Sequence, residues 1–258
     1  MSWARSERFL TGLKRGIGPK VSDKTHAAMM RITTPPVRYA TPSGPSARCH
    51  VVEGGLSVFH FENVDSTNDA AKRLFGDGSI RSRSLVIARG QTAGRGTRER
   101  RWISPRDAGI YMTLIEPSPP ALSLRCLEDY TVAAGVACVE TIRSQLGVDA
   151  VIQGINDVFC WDRKLGGVLT EAIVEGNRPC GLFVGVGINT RTADRPIDPP
   201  SPLAISLEDV MDAAAFSALD ADALARSLAT AVFAWLDAVG AGDVDRIRHR
   251  LQSLRQGE

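Results

Sequence analysis

A short segment rich in glycine and arginine, Gly90–Trp102, constrains this chain more than any other stretch. It holds three glycines and four arginines and stands between two apolar runs, Leu85–Ala88 and Gly109–Ile115. Both runs predict β-strands, so the segment is predicted to be the loop between them. Glycine lets a backbone approach a ligand closely, and arginine matches carboxylate and phosphate oxygens. The segment therefore suits an anionic ligand, although a solvated basic turn would have the same composition.

Apolar periodicity predicts further elements on both sides of this loop. In chain order they are a strand at 56–61, capping residues at 65–69 before a helix, a buried helix at 127–146, a strand at 150–153, a hairpin of 158–161 and 164–171 turning at Asp162-Arg163, a strand at 180–188, a polar loop at 191–202, and helices at 221–239 and 244–254. Strands with interspersed helices and several hairpins, without regular alternation, predict an α+β fold.

Charge divides the chain into two parts. Residues 1–48 hold nine Lys or Arg and two acids, a net of +7, whereas the remainder carries 22 basic and 27 acidic residues, a net of −5. An acidic body argues against broad nucleic-acid binding, which needs a basic face.

No apolar run is expected to span a membrane. The five cysteines form no CxxC pair and the histidines do not cluster, which argues against a zinc site or a disulfide framework and fits a reducing cytoplasm.

The first 48 residues are predicted to be a poorly ordered basic tail, and the folded domain is predicted to cover 49–258. The tail is rich in proline and serine and shows no sustained period. An organelle transit peptide and a start codon placed too early, with Met29 or Met30 as the true start, both fit it. No strand and helix pattern there indicates a DNA-binding module.

Four pieces of the sequence form a combination more specific than any one of them. They are Ser66-Thr67-Asn68, the segment Gly90–Trp102, Asn156-Asp157 with Lys164–Glu171, and Gly185–Asn189. In order and spacing they resemble the catalytic domain of the biotin–protein ligases, a family that shares its fold with lipoate–protein ligases and octanoyltransferases. The resemblance covers roughly residues 56–236. It implies a class II synthetase-like domain with a mixed, largely antiparallel sheet flanked by helices.

The resemblance also implies a reaction in two steps. Biotin reacts with ATP to give biotinyl-5′-adenylate and pyrophosphate, with Mg²⁺, and a lysine of a biotin carboxyl carrier protein then takes the acyl group and releases AMP. Bringing a carboxylate against a polyphosphate is repulsive, so cationic side chains are expected in the site. A loop that closes would shield the mixed anhydride from water. The oligomeric state stays open, a homodimer included.

Roles follow by matching positions to the family's motifs. Lys164, Arg95 and Arg100 are expected to be catalytic. The biotin site is expected to comprise Ser66, Thr67, Gln91, Gly94, Arg95, Lys164, Gly167 and Gly185. The nucleotide is expected to meet Arg98, Arg100, Trp102, Asn156, Asp157 and Asn189. Asp157 is also a candidate Mg²⁺ ligand.

The chain departs from the family pattern inside the loop. The family usually reads Gly-Arg-Gly-Arg-x-Gly-Arg, and here Thr97 replaces the second arginine and Glu99 the third glycine. Gln153-Gly154-Ile155 stands where Lys-Trp-Pro is usual. These changes predict a ligase that loses adenylate to solvent, or a catalytically weak biotin-binding homologue. A lipoate or octanoate ligase or transferase of the same fold is the further alternative. Neither the family's helix-turn-helix nor its small C-terminal β-barrel is expected.

Overall fold

The computed structural model describes residues 37–39, 47–52, 55–117, 119, 127–175, 178–195 and 203–255. Its strands are β1 Val37–Tyr39, β2 Ala47–Val51, β3 Ser57–Phe61, β4 Ser84–Ala88, β5 Gly109–Glu116, β6 Val151–Gln153, β7 Asp157–Cys160, β8 Arg163–Glu175 and β9 Arg178–Asn189. Its α-helices are α1 Thr67–Gly76, α2 Leu127–Leu146, α3 Leu207–Val210, α4 Ala213–Ser217, α5 Ala221–Gly240 and α6 Val244–Ser253.

The nine strands of the described ranges form one sheet in the order β1-β2-β3-β4-β5-β9-β8-β7-β6. The pair β3 and β4 is parallel, and α1 makes the crossover between them, as a parallel connection requires. The other adjacent strands pair antiparallel. This is the mixed, largely antiparallel α+β sheet that the sequence predicted.

Helices lie on both faces of the sheet. Alternate residues of a strand point to opposite faces, so Met112 and Leu114 of β5 pack in the large core with α2 and α5, whereas Thr113 points to α1. Helix α2 is buried on nearly all sides, and small residues such as Ala133 and Ala137 are part of its buried surface. Helix α6 completes this layer, with Arg250 Nε donating to Glu140 Oε1 at 2.7 Å. Helix α1 does not cover the whole of the other sheet face, and the candidate site lies on that face beside α1.

Helix α5 corrects one expectation from composition. It has 20 residues with a mean hydropathy of 1.3, so length and composition alone do not exclude a membrane span, and half of that window is buried inside the protein. Its buried side is the predicted apolar stripe, including Leu224, Leu228 and Trp235. The packing against α2 accounts for its apolar character as a core helix.

Most predicted elements have the predicted position. Helix α2 spans the expected residues, whereas the β7–β8 turn lies one residue earlier than predicted, at Trp161-Asp162. The short helices α3 and α4 were not predicted. The sheet also includes β1 and β2, so it begins before residue 49. Residues 1–36 and 40–46 of the predicted tail, and 196–202 of the predicted loop, lie outside the described residues.

Burial raises the pKa of Cys138 to about 12, as expected of an inert thiol.

Candidate functional site

The floor of the candidate site is a glycine-rich part of the central sheet. Gly167 of β8 pairs with Gly187 of β9, and Gly185 of β9 pairs with Thr113 of β5. Gly185 and Gly187 are two residues apart, so they face the same side of the sheet, which is the side of α1. These three glycines are part of the lining of a cleft above the sheet.

Two side chains from other elements cover these glycines. A methyl group at Gly187 would lie 2.6 Å from Trp102 Nε1, and one at Gly185 would lie 2.5 Å from Asn68 Oδ1. Both separations are too short for real atoms, so a side chain at either position would displace Trp102 or Asn68. The alternate glycines were predicted to mark a ligand against the backbone. In the structure they first accommodate Trp102 and Asn68, which both line the cleft themselves.

Helix α1 begins at one end of the cleft. Ser66 is its N-cap residue, but the Ser66 side chain makes no capping hydrogen bond. The Thr67 N–H donates instead to Gln91 Oε1 at 2.7 Å, and Gln91 Nε2 donates to Ser104 Oγ at 2.7 Å. The predicted helix start is therefore right, and the capping group is Gln91. This side chain also links α1 to the start of the segment Gly90–Trp102, called the arginine loop below, and to Ser104 just after its end.

The arginine loop is folded back on itself above the sheet. Gly94 O accepts the Trp102 N–H at 2.8 Å, Gly96 N–H donates to Arg100 O at 2.7 Å, and the tip is a 3-10 turn over Thr97–Glu99. A methyl group at Gly94 would lie 2.5 Å from Trp102 O, so this glycine permits the close return of the chain. Arg98 and Glu99 at the tip have φ of 57° and 60°. Glu99 therefore has the left-handed conformation that glycine tolerates best, at the position where the family pattern has glycine.

A charged network holds the loop to the sheet and to α1. Arg95 Nη2 lies 2.5 Å from Glu171 Oε2 in β8 and 2.8 Å from Asp69 Oδ1 in α1. Lys72 Nζ lies 2.8 Å from the other Glu171 oxygen, and Asn68 Nδ2 donates to Glu171 at 2.7 Å. Burial raises the pKa of Glu171, but the hydrogen bonds from Lys72 and Asn68 and the charges of Lys72 and Arg95 outweigh it, and the pKa lies below its ordinary value. Glu171 is therefore an ionised anchor for the loop.

Lys164 lines the cleft from the start of strand β8, whereas Glu171 lies farther along the same strand. The Lys164 Nζ is 2.8 Å from Asp157 Oδ1 and 5.5 Å from the centre of the Trp102 ring. Asn156 Nδ2 donates to the same Asp157 oxygen at 2.9 Å. Side chains from two separate parts of the sequence, Asn156-Asp157 and Trp102, thus surround the Lys164 ammonium at the cleft, with less than a fifth of the lysine side chain exposed.

These residues do not fit a Mg²⁺ ion held by the protein. Asp157 is the predicted ligand, and its Oδ1 already carries the Lys164 ammonium, which would repel a divalent cation. Across the described ranges, no three His, Cys, Asp or Glu side chains are grouped to hold a metal.

Three buried polar atoms at the cleft lack a hydrogen-bond partner: Trp102 Nε1, Asn189 Oδ1 and Arg195 Nε. Asn189 is 2% exposed, and its Nδ2 donates to Lys164 O at 3.3 Å and to Ile205 O at 3.0 Å. All three residues line the cleft, and because buried polar atoms are normally paired, this grouping of unpaired ones is consistent with a ligand site.

The lining of the cleft carries an excess of positive charge. Its cationic side chains are Arg95, Arg100, Arg101, Lys164 and Arg195, and its carboxylate is Asp157. Arg100 and Arg101 make hydrogen bonds within the loop, to Thr97 and to Thr92 O. A concave site with this balance binds anions.

The structure brings the predicted residues together with two exceptions. The following predicted residues line the cleft: Ser66, Thr67, Gln91, Arg95, Arg100, Trp102, Asn156, Asp157, Lys164, Gly167, Gly185 and Asn189. Gly94 and Arg98 do not line it, since Gly94 is buried under Trp102 O and the Arg98 side chain is exposed at the tip. The further lining residues that sequence reasoning did not assign include Asn68, Thr97, Leu169, Arg195 and Ala204.

The sequence is similar to known proteins of one family. A sequence model of the Biotin/lipoate A/B protein ligase family matches residues 60–189. The bifunctional ligase/repressor BirA of Bacillus subtilis is 32% identical over 149 residues, which are 58% of this chain and 44% of that protein. BirA of Escherichia coli is 33% identical over 142 residues, 54% of this chain and 41% of that protein. The chain thus matches less than half the length of these curated relatives.

The same fold occurs in solved structures. The biotin protein ligase from Aquifex aeolicus in complex with biotin and ATP aligns with a TM-score of 0.62 at 21% identity, over 77% of this chain and 78% of that chain. The biotin protein ligase from Leishmania major in complex with biotin aligns with a TM-score of 0.59 at 23% identity, over 77% and 81%. These alignments confirm the predicted fold.

Proposed function

Because the chain belongs to the biotin/lipoate A/B protein ligase family, we propose that it is a biotin–protein ligase. It activates biotin with ATP as biotinyl-5′-adenylate and transfers the biotinyl group to a lysine of a biotin carboxyl carrier protein. The observation that carries this proposal is that Lys164 and the arginine loop line one cleft, with the Lys164 ammonium 5.5 Å from the centre of the Trp102 ring. We place the reaction in the cytoplasm, where the described thiols would stay reduced.

In the first step, a biotin carboxylate oxygen attacks the α-phosphorus of ATP, and the bond from that phosphorus to pyrophosphate breaks. Both reactants are anions, so the step needs positive charge that is already in place. Lys164 and Arg100 supply it from the sheet and from the loop. Lys164 is suited to the carboxylate and α-phosphate oxygens because Asp157 and Asn156 hold its position. No step is assigned to a metal ion on Asp157.

Trp102 and Asn189 are the groups proposed to meet the nucleotide. Each has a buried polar atom without a partner, a donor on Trp102 and an acceptor on Asn189. The exocyclic amine of a purine can donate to Asn189 Oδ1, whereas Trp102 Nε1 faces Gly187, so the indole can meet the nucleotide only through its ring. Arg195, whose Nη2 is held by Ala108 O at 2.7 Å, lies in the same part of the lining and adds charge there.

In the second step, the acceptor lysine amine attacks the carbonyl carbon of the anhydride. The bond from that carbon to the phosphate oxygen breaks, AMP leaves, and the amine loses a proton to solvent. The arginine loop covers the cleft during this sequence and limits hydrolysis by water. Its attachment through Arg95 to Glu171 holds it near the floor.

The ureido ring of biotin is proposed to lie at the start of α1. Gln91 was predicted to bind it, but both functional groups of the Gln91 amide are used for Thr67 and Ser104. The hydroxyls of Ser66 and Thr67 then become the main side-chain candidates in this part of the lining. A lipoate or octanoate substrate, which lacks a ureido ring, gains support from the engagement of Gln91 and is the second candidate.

The test is exchange of labelled pyrophosphate into ATP in the presence of Mg²⁺ and either biotin, lipoate or octanoate. We expect exchange that depends on biotin, followed by labelling of a carrier domain. Lys164→Ala is expected to lower the rate of pyrophosphate exchange at least about 100-fold, because the positive charge beside the reacting phosphate is then missing. Arg163→Ala removes an exposed cation one residue away and is the matched control. Exchange that occurs with lipoate or octanoate but not with biotin would replace the biotin ligase proposal by the second candidate.

A further inference from the structure

Lysine is rare in this chain, and arginine takes its place. The 31 basic residues are five lysines and 26 arginines, and residues 37–258 contain two of the five lysines. Both side chains carry positive charge, but a lysine amine that loses its proton reacts with acyl groups, whereas the arginine guanidinium stays protonated. The domain therefore keeps its positive charge with few amines that could act as nucleophiles.

Both lysines of the domain are held by carboxylates. Lys72 Nζ lies 2.8 Å from Glu171 Oε1, and Lys164 Nζ lies 2.8 Å from Asp157 Oδ1. The two lysine side chains are 26% and 17% exposed. Acylation requires a neutral nitrogen that reaches the reagent, so each nitrogen must first give up a proton and leave its carboxylate. Neither lysine is therefore a free amine.

The proposed reaction makes an acylating agent inside this protein. Biotinyl-5′-adenylate is a mixed anhydride, and an amine that meets it reacts at the same carbonyl carbon as the acceptor lysine does. Thr97 and Glu99 depart from the family pattern in the arginine loop, and these departures predict loss of adenylate from the cleft. Amines on the same chain are then exposed to the reagent at high effective concentration.

The three remaining lysines are within reach of the cleft. Lys24 stands 13 residues before Val37, the first residue of β1. A chain of that length spans at most about 45 Å, at roughly 3.4 Å per residue. Strand β9, which lines the cleft, is five strands away from β1 in the sheet, or about 24 Å at roughly 4.8 Å per strand. The connection is therefore long enough for Lys24, and longer for Lys14 and Lys20.

We propose that Lys14, Lys20 and Lys24 are the sites at which this protein acylates itself, and that the domain is spared because it offers no free side-chain amine. This inference rests on the proposed function, which supplies the adenylate. The lysine Nζ attacks the carbonyl carbon of the anhydride, the bond from that carbon to the phosphate oxygen breaks, AMP leaves, and the amine loses a proton to solvent. The three lysines lie outside the described residues, in the segment that the sequence predicts to be a poorly ordered basic tail.

The first experiment incubates the 258-residue chain with ATP, Mg²⁺ and biotin, without a carrier, and locates biotin by peptide mass spectrometry. We expect each tail lysine to carry at least about fivefold more label than Lys72 or Lys164, because both must first leave an ion pair. A triple variant, with Lys14→Arg, Lys20→Arg and Lys24→Arg combined, keeps the charge and should lower the total label at least about fivefold. An undiminished total label in the triple variant would overturn the acceptor sites.

Arg163→Lys, added to the triple variant, tests whether a free amine is what the domain lacks. Arg163 is exposed and does not line the cleft, so the change adds an amine at constant charge. We expect label to return at position 163 and pyrophosphate exchange to stay unchanged. Intact exchange without label at that position would contradict the proposal.

A chemical reagent tests the amines without the enzymatic reaction. The N-hydroxysuccinimide ester of biotin should acylate the tail lysines at least about fivefold faster than Lys72. Glu171→Gln removes the carboxylate that holds Lys72 and should speed its acylation, whereas Glu175→Gln, at the exposed end of the same strand, should not. Equal rates at Lys72 and the tail lysines in the unchanged protein would overturn the protection. Absence of pyrophosphate exchange would instead remove the proposed function and leave the ester result standing.

Discussion

Arg95 and Glu171 join the arginine loop to strand β8, with Nη2 of the arginine 2.5 Å from Oε2 of the carboxylate. The two residues are 76 positions apart in the chain. Asp69 and Lys72 of α1 extend the contact, so one ionised carboxylate links the loop, the sheet and a helix. The loop is therefore held over the cleft by residues of the protein itself.

Removing the charge of this anchor should loosen the loop. Glu171→Gln leaves Arg95 with Asp69 and leaves Lys72 without its carboxylate, and we expect a loss of about 1–2 kcal/mol in stability. Trypsin should cleave faster within the loop, which holds four arginines. Glu175→Gln, an exposed site at the end of the same strand, is the control. Equal cleavage rates in the two variants would show that Glu171 does not hold the loop.

Gly187 should tolerate no side chain. Gly187→Ala would place a methyl group 2.6 Å from Trp102 Nε1 and displace the indole from the cleft. We expect the KM for ATP in pyrophosphate exchange to rise at least about tenfold, which corresponds to about 1.4 kcal/mol of lost binding. Gly76→Ala, where a methyl group would meet nothing within 4 Å, should leave exchange unchanged. A normal KM in Gly187→Ala would mean that Trp102 does not bind the nucleotide.

Restoring the family's residues at the loop tip should reduce loss of adenylate. Thr97 lines the cleft, so Thr97→Arg adds a cation there, and Glu99→Gly removes an anion and relieves a left-handed residue at φ 60°. We expect the double variant to release biotinyl-adenylate at least about fivefold more slowly in a chase experiment. Glu99→Gln keeps the strained backbone without the charge and separates the two effects. A double variant that releases adenylate at the original rate would contradict the predicted leak.

Stability should fall in mild acid because of His60. Burial lowers the pKa of His60 from 6.5 to about 4, helped by the charges of His50, Arg48 and Arg226 and opposed by Asp222. Below pH 6.5 the unfolded chain then binds a proton that the folded chain does not bind. The stabilisation is complete above pH 6.5 and is lost toward pH 4, with a slope of at most about 1.4 kcal/mol per pH unit.

Urea unfolding at several pH values measures this effect. His60→Gln should flatten the dependence between neutral pH and about pH 5, where most carboxylates are still ionised. His249→Gln changes an exposed histidine of α6 and should keep the original slope. An unaltered slope in His60→Gln would assign the acid sensitivity to other groups, with stacked His50 the first to examine.

Local sequence pattern predicted the long helices and strands but not the short helices. The apolar spacing of α2 and the glycine-containing run of β9 predicted both elements close to their observed bounds. Helices α3 and α4, with 4 and 5 residues, are too short to show a period. The β7–β8 turn was placed one residue late because tryptophan is not a usual turn residue.

The candidate site was predictable as a set of motifs but not as a network. Motif order placed Lys164 and Asn189 in one site, and both residues line the same cleft. The role of Asn68 was missed, because its partner Glu171 is 103 positions away and no local pattern joins them. Gln91 was assigned to a ligand because the sequence does not show that its amide caps α1.

The division of the molecule by its sheet has a practical consequence. The cleft opens on the side of α1, whereas α2, α5 and α6 cover the other side. A dye or an immobilising tether on the exposed face of α6, for example at Arg248, would therefore stay behind the sheet and leave the mouth of the cleft unobstructed.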